Sequence, residues 1–274
     1  MSKAAKTRVA MTIAGSDPGG GAGLQADLKT FAAYRVYGFS VITAVIAQNS
    51  ARVSRVAPVA AAMVTEQIAA LAAERIPDAL KTGALANVEV VEAVAKAIEE
   101  FKLPAPVVDP VLIASSGARL LDEEGEGALR SRLLPIARVI TPNIPEAEAL
   151  GGIEIDSPVA MRAAARALRR LGARAVLIKG GHGFASGKGA SESNVTDLLF
   201  DGRSFVEFAA RRVGGGGAHG TGCAFSAAIA ARLACGDGLE AAVRKAKTYI
   251  TRALRGRFVL SEHGRALLDH FAGR

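Results

Sequence analysis

Six short aliphatic runs, set apart by segments of helical spacing, limit this chain to very few architectures. The runs are RVAMTIAG (8–15), SVITAVIAQN (40–49), ALKTGAL (79–85), PVVDPV (106–111), ARVITPN (137–143) and RAVLIKGG (174–181). Between them, 22–34, 60–75, 87–102 and 157–171 repeat apolar residues at helical period. Parallel strands need a crossover of about a dozen residues or more, which a helix supplies. The alternation therefore predicts an α/β fold, a central mostly parallel sheet with helices on both faces. Half of the 274 residues are hydrophobic but only 5% are aromatic and none is Trp, so the core must be aliphatic. Val, Ile, Leu and Ala suit strands buried on both faces. NVTDLLFDGRSFVEFAA (194–210) reads as a hairpin turning at Asp201-Gly202. Two helical stretches, 221–234 and 238–255, follow it. No repeat or break in composition divides the chain, and residues 1–274 read as one domain.

A second constraint is GGGGAHGTGCAF (214–225), in which six of the nine residues from Gly214 to Gly222 are glycine. Glycine loses more backbone entropy on folding than any other residue. Such a run is either a linker or a loop that brings bare backbone N–H groups against an anion where a helix begins. Two common nucleotide-binding loops are absent. HGFASGKGASES (182–193) has His182 where a Walker A loop needs Gly, and Lys188 is followed by Gly189. GSDPGGGAG (15–23) does not contain G-x-G-x-x-G. The 182–193 stretch is too long for a tight turn and is expected to be mobile.

Ligands of open parallel sheets bind beyond the carboxyl ends of the strands. Polar residues gather at that edge: Gly15-Ser16-Asp17, Gln48-Asn49, Asp109, Asn143 with Glu146, and Lys179. Taken singly, an Asp before Pro or an Asn before a helix is a turn residue or an N-cap. Converging on one edge, they mark the site.

The formal charge of +8 is clustered in RALRR (166–170), ARR (210–212) and RKAK (244–247). These lie mostly in helical segments without interleaved aromatics, which disfavours nucleic-acid binding and fits a basic surface that attracts anionic substrates. If Cys223 and Cys235 share the helix that starts near Gly222, they lie about 18 Å apart. A disulfide needs Cα atoms within about 7 Å, so both should be free, as in a reducing cytoplasm. The basic N-terminus lacks the apolar run of a signal peptide, and the longest uncharged stretch, 213–231, has a glycine-rich first half, contains His219 and does not read as a membrane span.

In sequence order, AGSDPGGGAGLQADLKTF (14–31), VITAVIAQN (41–49), VVDPV (107–111), TPNIPEAEAL (141–150), VLIKGGH (176–182) and HGTGC (219–223) resemble hydroxymethylpyrimidine/phosphomethylpyrimidine kinases of thiamine biosynthesis. The resemblance covers nearly the whole chain and implies the ribokinase-like fold, ATP and Mg²⁺ as cofactors, and a homodimer. It also implies phosphorylation of 4-amino-5-hydroxymethyl-2-methylpyrimidine and then of its monophosphate. Gln48 falls on the family's pyrimidine-contacting position, and a carboxamide's donor and acceptor match an aminopyrimidine edge. Gly15 and Asp27 match substrate-side positions, although Asp27 also reads as a helix-surface charge. Lys179, Asn143 and Thr221 match the nucleotide side. Asp109 and Glu146 would hold Mg²⁺ largely through water. Gly220 and Gly222 would close the anion hole, and Cys223 falls on the catalytic cysteine. At a helix N-terminus its thiol should have a lowered pKa, leaving a thiolate as base. Cys235, three turns deeper, should be inert packing.

Three departures bear on substrate and rate. Ser115 replaces a lysine, Ala84 replaces a pocket methionine, and glycines with Ala218 replace Lys-Asn-Thr before HGTGC. Pyridoxal or pyridoxine kinase is the rival enzyme, since its substrate too is a hydroxymethyl-bearing aromatic heterocycle, and the missing lysine makes a non-catalytic pyrimidine-binding protein the rival of another class.

Overall fold

The structure is a computed structural model that describes residues 7–114, 116–181, 194–214, 217–262 and 264–272. The 182–193 stretch, Ser115 and residues 215–216 of the glycine run lie outside the described residues. Nine strands form one sheet in the order β3-β2-β1-β4-β5-β6-β7-β8-β9. Six of them run parallel: β1 (Val9–Ser16), β2 (Tyr37–Gln48), β4 (Ala79–Thr82), β5 (Val107–Val108), β6 (Val139–Ile140) and β7 (Val176–Ile178). Each coincides with a run picked out in the sequence. The hairpin is present as β8 (Asn194–Phe200) and β9 (Phe205–Arg211), with β8 antiparallel both to β7 and to β9. Asp201 Oδ1 accepts from the N–H groups of Arg203 and Ser204 and closes its turn.

Successive strand residues point to opposite faces, and both faces are buried. Met11, Ile13, Leu80, Val108, Ile140 and Ile178 meet the helices α2 (Ala61–Glu74), α3 (Val88–Glu100) and α6 (Pro158–Arg170). Ala10, Ala79, Val107, Val139 and Leu177 meet α1 (Gly23–Ala33), α7 (Thr221–Ala234) and α8 (Leu239–Arg255). Helix α7 is buried almost all round, with Ala227, Ala228, Ala230 and Ala231 at zero exposure. Its alanines are the reason it fits between sheet and α8: methyl side chains let the backbones approach closely.

Three features differ from the sequence expectation. Strand β3 (Val53–Pro58) pairs antiparallel with β2, although VSRVAP is largely exposed and has no apolar run. A short α4 (Glu123–Ala128) continues through a π turn into a 3-10 turn, 129–136. Residues 256–262 and 264–272 fold back over the glycine loops: Leu267 exchanges both backbone hydrogen bonds with Phe258, and His219 N–H donates to Ala266 O.

That return ends at His270, 5% exposed, whose Nδ1 lies 3.0 Å from Tyr249 Oη and 3.4 Å from Thr30 Oγ1. Burial, assisted by Lys29, pushes its pKa down to about 4. The unfolded chain binds this proton below its ordinary value near 6.5, so stability is full above that value and falls as pH drops toward 4. The loss should approach roughly 3 kcal/mol, at about 1.4 kcal/mol per pH unit. Urea unfolding of the wild-type protein and of His270→Phe at pH 7, 5.5 and 4 checks this; a constant difference across the series would refute it.

Candidate active site

The polar residues named above stand at the carboxyl edge of the parallel strands. After β1, Asp17 turns its carboxylate inward at 1% exposure. Its oxygens accept from the N–H groups of Gly19, Gly21 and Ala22, and His219 Nε2 lies 3.1 Å from Oδ2. Burial would raise this carboxyl, but His219 and the amides outweigh it and lower its pKa. Two glycine-rich loops 202 residues apart are thus tied by one side-chain pair.

The second loop turns at Gly220, whose φ of +80° caps α7. A Cβ on Gly220 would lie 1.7 Å from the Gly21 carbonyl oxygen, so only glycine lets the loops touch. Thr221 spends both its N–H and its hydroxyl on Ala218 O, the hydroxyl at 2.7 Å. Among the described residues, the N–H groups of Gly222 and Cys223 have no partner. They form the open N-terminus of a 14-residue helix, with its concentrated positive potential.

Lys179, at the end of β7, brings its Nζ to this N-terminus: a Cβ on Gly222 would lie 3.2 Å from it. The same ammonium pairs with Asp109 Oδ1 at 2.7 Å. Burial would lower Lys179, but Asp109 and Glu146 raise it above its ordinary value. Asp109 is 2% exposed; burial would raise it, yet Lys179 and Lys81 hold it below the usual carboxylate range. Glu146 is pushed up to about 7 by burial and by Asp109, against the pull of Lys179. TPNIPE has the residues of a capping box, and the structure forms one. Asn143 Oδ1 accepts from Glu146 N–H, and Glu146 Oε2 accepts from Asn143 N–H, each at 2.9 Å. The capping reading of Asn143 therefore holds beside any ligand role. Asn49 closes a turn after β2, its Oδ1 accepting from the N–H groups of Ala51 and Arg52.

Gly15 N–H donates to Ala84 O at 3.0 Å, and Thr43 Oγ1 donates to the same carbonyl. Around them Ala44, Ile46 and Leu120 form a small apolar cluster, with Val53, Val56 and Ala84 packed against it. Gln48 ends β2, half-buried, with no hydrogen bond to its carboxamide among the described residues.

Two expectations need correction. Asp27 is not a helix-surface charge: it has zero exposure, and its Oδ2 pairs with Lys81 Nζ at 2.7 Å and accepts from Thr12 Oγ1 at 2.6 Å. Lys81 was missed, though a lysine inside the apolar run ALKTGAL was a legible signal. The Cys223 thiol is not acidic. It keeps part of its surface open, but protein atoms enclose the sulfur, and burial pushes its pKa up to about 11. Asp109 and Asp27 add to the rise; Lys81 and the Gly23 N–H oppose it without overcoming it. Cys235 packs at the end of α7, and both cysteines are free.

The sequence profile of the phosphomethylpyrimidine kinase family matches residues 17–267. The chain belongs to that family. It is a phosphotransferase, a kinase of ribokinase-like fold. The Bacillus subtilis (strain 168) hydroxymethylpyrimidine/phosphomethylpyrimidine kinase is 43% identical to this kinase over 263 residues, which are 96% of the chain and 94% of the relative. The thiamine biosynthesis bifunctional protein ThiED of Geobacter sulfurreducens is 47% identical over 89% of the chain, and the chain spans only 49% of that longer protein. Among solved structures, an ADP complex of Bacillus subtilis pyridoxal kinase superposes with a TM-score of 0.87 at 36% identity, over 97% of this kinase and 98% of that protein. No helix among the described residues is long and apolar enough to cross a membrane.

Proposed function

We propose that this kinase transfers the γ-phosphoryl group of ATP to the hydroxymethyl group of 4-amino-5-hydroxymethyl-2-methylpyrimidine, and then phosphorylates the monophosphate, in thiamine biosynthesis. The open N-terminus of α7, with Lys179 beside it, carries the reading. Phosphoryl transfer asks a protein for alignment and charge neutralisation rather than covalent help. The N–H groups of Gly222 and Cys223 and the Lys179 ammonium offer both at one point. The alcohol oxygen attacks phosphorus, the bond to the β–γ bridging oxygen breaks, and ADP leaves. The ionised fraction of Cys223, which grows with pH, takes the alcohol proton.

Asn143 would contact the nucleotide through its carboxamide NH2, which capping leaves free, whereas Thr221 would have to turn its hydroxyl away from Ala218 O to do so. No cluster of three His, Cys, Asp or Glu among the described residues is arranged to hold a metal. The pair Asp109 and Glu146 suits a divalent ion that keeps most of its water, as Mg²⁺ does. Such an ion, when bound, would neutralise phosphate charge. Converting Asp109 and Glu146 together to amides should lower the Mg²⁺-dependent rate by at least tenfold. An unchanged Mg²⁺ titration in the double variant would make both residues structural.

On the substrate side, Gln48, Gly15 and the apolar group around Ala84 would take the ring, and Asp27 would act from beneath it. Gln48→Ala should raise the KM for the pyrimidine by roughly 5–150-fold, the equivalent of about 1–3 kcal/mol for a lost buried hydrogen-bond pair, with ATP binding unchanged. An unaltered KM would remove Gln48 from the pocket.

The likeness to pyridoxal kinase favours a second reading, pyridoxal or pyridoxine as the alcohol. An ATP-consumption assay over a panel of pyrimidine and pyridoxine alcohols, with product masses read out, decides between them. Turnover of neither class, with tight ligand binding, would mean a binding protein. Two unpaired cysteines fit a reducing cytoplasm. For assembly we carry over the homodimer; the exposed Tyr37, Ile42 and Val45 of β2 and Met63 of α2 fit a covered face.

A further inference from the structure

The ladder between β7 and β8 pairs Val176 with Phe200, Leu177 with Leu199 and Ile178 with Leu198, and there it stops. Lys179 follows. Its own N–H donates to Pro142 O, on the β6 side, at 2.8 Å. The next N–H, that of Gly180, donates at 2.9 Å to the side chain of Asp197 rather than to the β8 backbone, and Oδ1 is the acceptor. The other carboxylate oxygen, Oδ2, holds Lys247 Nζ of α8 at 2.6 Å. A Cβ on Gly180 would lie 1.9 Å from Thr196 O, so only glycine lets β7 and β8 come this close.

Asp197 is 3% exposed and the Lys247 side chain 13%. A buried ion pair is often no more stabilising than apolar side chains of the same volume. Nor does α8 need it for docking, since Ala242, Val243, Ala246, Tyr249, Ile250 and Ala253 already bury its inner face. What the pair holds is the chain just beyond Lys179. That residue is thereby fixed from both sides, by Pro142 O on one and by the Asp197 carboxylate on the other. Lys179 has two targets to meet at once. Its ammonium pairs with Asp109 Oδ1 at 2.7 Å and also stands at the N-terminus of α7, where a Cβ on Gly222 would lie 3.2 Å from Nζ. A shift of about 1 Å at the strand end would spoil that alignment.

We propose that Asp197, anchored by Lys247, is a positioning residue for Lys179: it takes the Gly180 N–H where the sheet ladder gives out and so aims the ammonium at the phosphates. The effect on turnover rests on the nucleotide role proposed for Lys179 above; the hold on Gly180 does not.

Asp197→Leu/Lys247→Met removes the acceptor and strands neither charge, whereas Asp197→Asn/Lys247→Gln removes both charges and keeps an acceptor for Gly180. The apolar pair should lose roughly tenfold in kcat/KM for ATP, the worth of one hydrogen bond, at unchanged KM for the alcohol. The Asn/Gln pair should keep the wild-type value. In a Lys179→Met background the apolar pair should cost nothing more, because the group it misplaces is already gone. Amide hydrogen exchange gives a readout independent of activity: Gly180 should exchange about tenfold faster in the apolar pair and at the wild-type rate in the Asn/Gln pair. A folded apolar pair with unchanged kcat/KM for ATP or unchanged Gly180 exchange overturns the inference. So does a loss shared by the Asn/Gln pair, or one that persists in full without the Lys179 ammonium. Should the apolar pair not fold, Asp197→Ala/Lys247→Ala takes its place. Should Lys179→Met itself keep its kcat/KM for ATP, the nucleotide role of Lys179 fails and the kinetic effect with it, whereas fast Gly180 exchange in the apolar pair would still show Asp197 holding the end of β7.

Discussion

Cys223→Ala is expected to fold and to bind the pyrimidine alcohol as the wild-type protein does, yet to lose roughly 10²–10⁴-fold in kcat, the range for a general base. The side chain sits in the first turn of α7, beside the unpartnered N–H groups of Gly222 and Cys223 itself. Alanine leaves those donors in place, so the anion hole survives and only the proton acceptor is removed. The pushed-up thiol gives the experiment a second sign. With a pKa of about 11, the thiol carries its proton at neutral pH. The wild-type kcat should therefore climb with pH as the thiolate fraction grows, while that of Cys223→Ala should not. Cys235→Ala, at the far end of the same helix, should retain activity. A near-normal kcat in Cys223→Ala would leave the hole standing without its base.

Gly220→Ala should be the most damaging single methyl in the molecule. Its φ of +80° is a left-handed conformation that costs an L-residue about 1–2 kcal/mol. The added Cβ would also lie 1.7 Å from the Gly21 carbonyl oxygen, a contact with backbone that no side-chain rotation relieves. The two loops would have to part, straining the Asp17–His219 contact and swinging the Gly222 and Cys223 N–H groups off the phosphate. A loss of at least about 3 kcal/mol in stability or about 10²-fold in kcat/KM is expected, since oxyanion-type donors are worth that much each. Gly217→Ala is the control, with nothing within 4 Å of its added Cβ. Equal kcat/KM and Tm in the two variants would mean that the loop contact does not hold the site.

The parallel strands, their helices and the hairpin were legible because burial on both faces leaves aliphatic runs at fixed places in the chain. VSRVAP of β3 left no such mark: it is an exposed edge strand held by its pairing with β2. EEGEGA was equally silent, since six residues with two glycines show no helical period. The site's location was legible for a related reason. Residues at strand ends fall on one edge, and the Asn of TPNIPE and the run HGTGC announce an N-cap and a helix N-terminus from residue type alone. Tertiary structure alone decided what those groups are chemically. Local reading left Asp27 open between a substrate-side position and a surface charge, and saw Cys223 as an acidic thiol, because it could see each residue's own helix but not its neighbours. Lys81 from β4 pairs with Asp27 across 54 residues of chain, and His219 meets Asp17 across 202. The state of Cys223 is a sum over burial, Lys81, Asp109, Asp27 and the Gly23 amide, brought together from α1, β4 and the end of β5. A helix dipole can be read from ten residues; desolvation belongs to the whole packed molecule, and at Cys223 it wins.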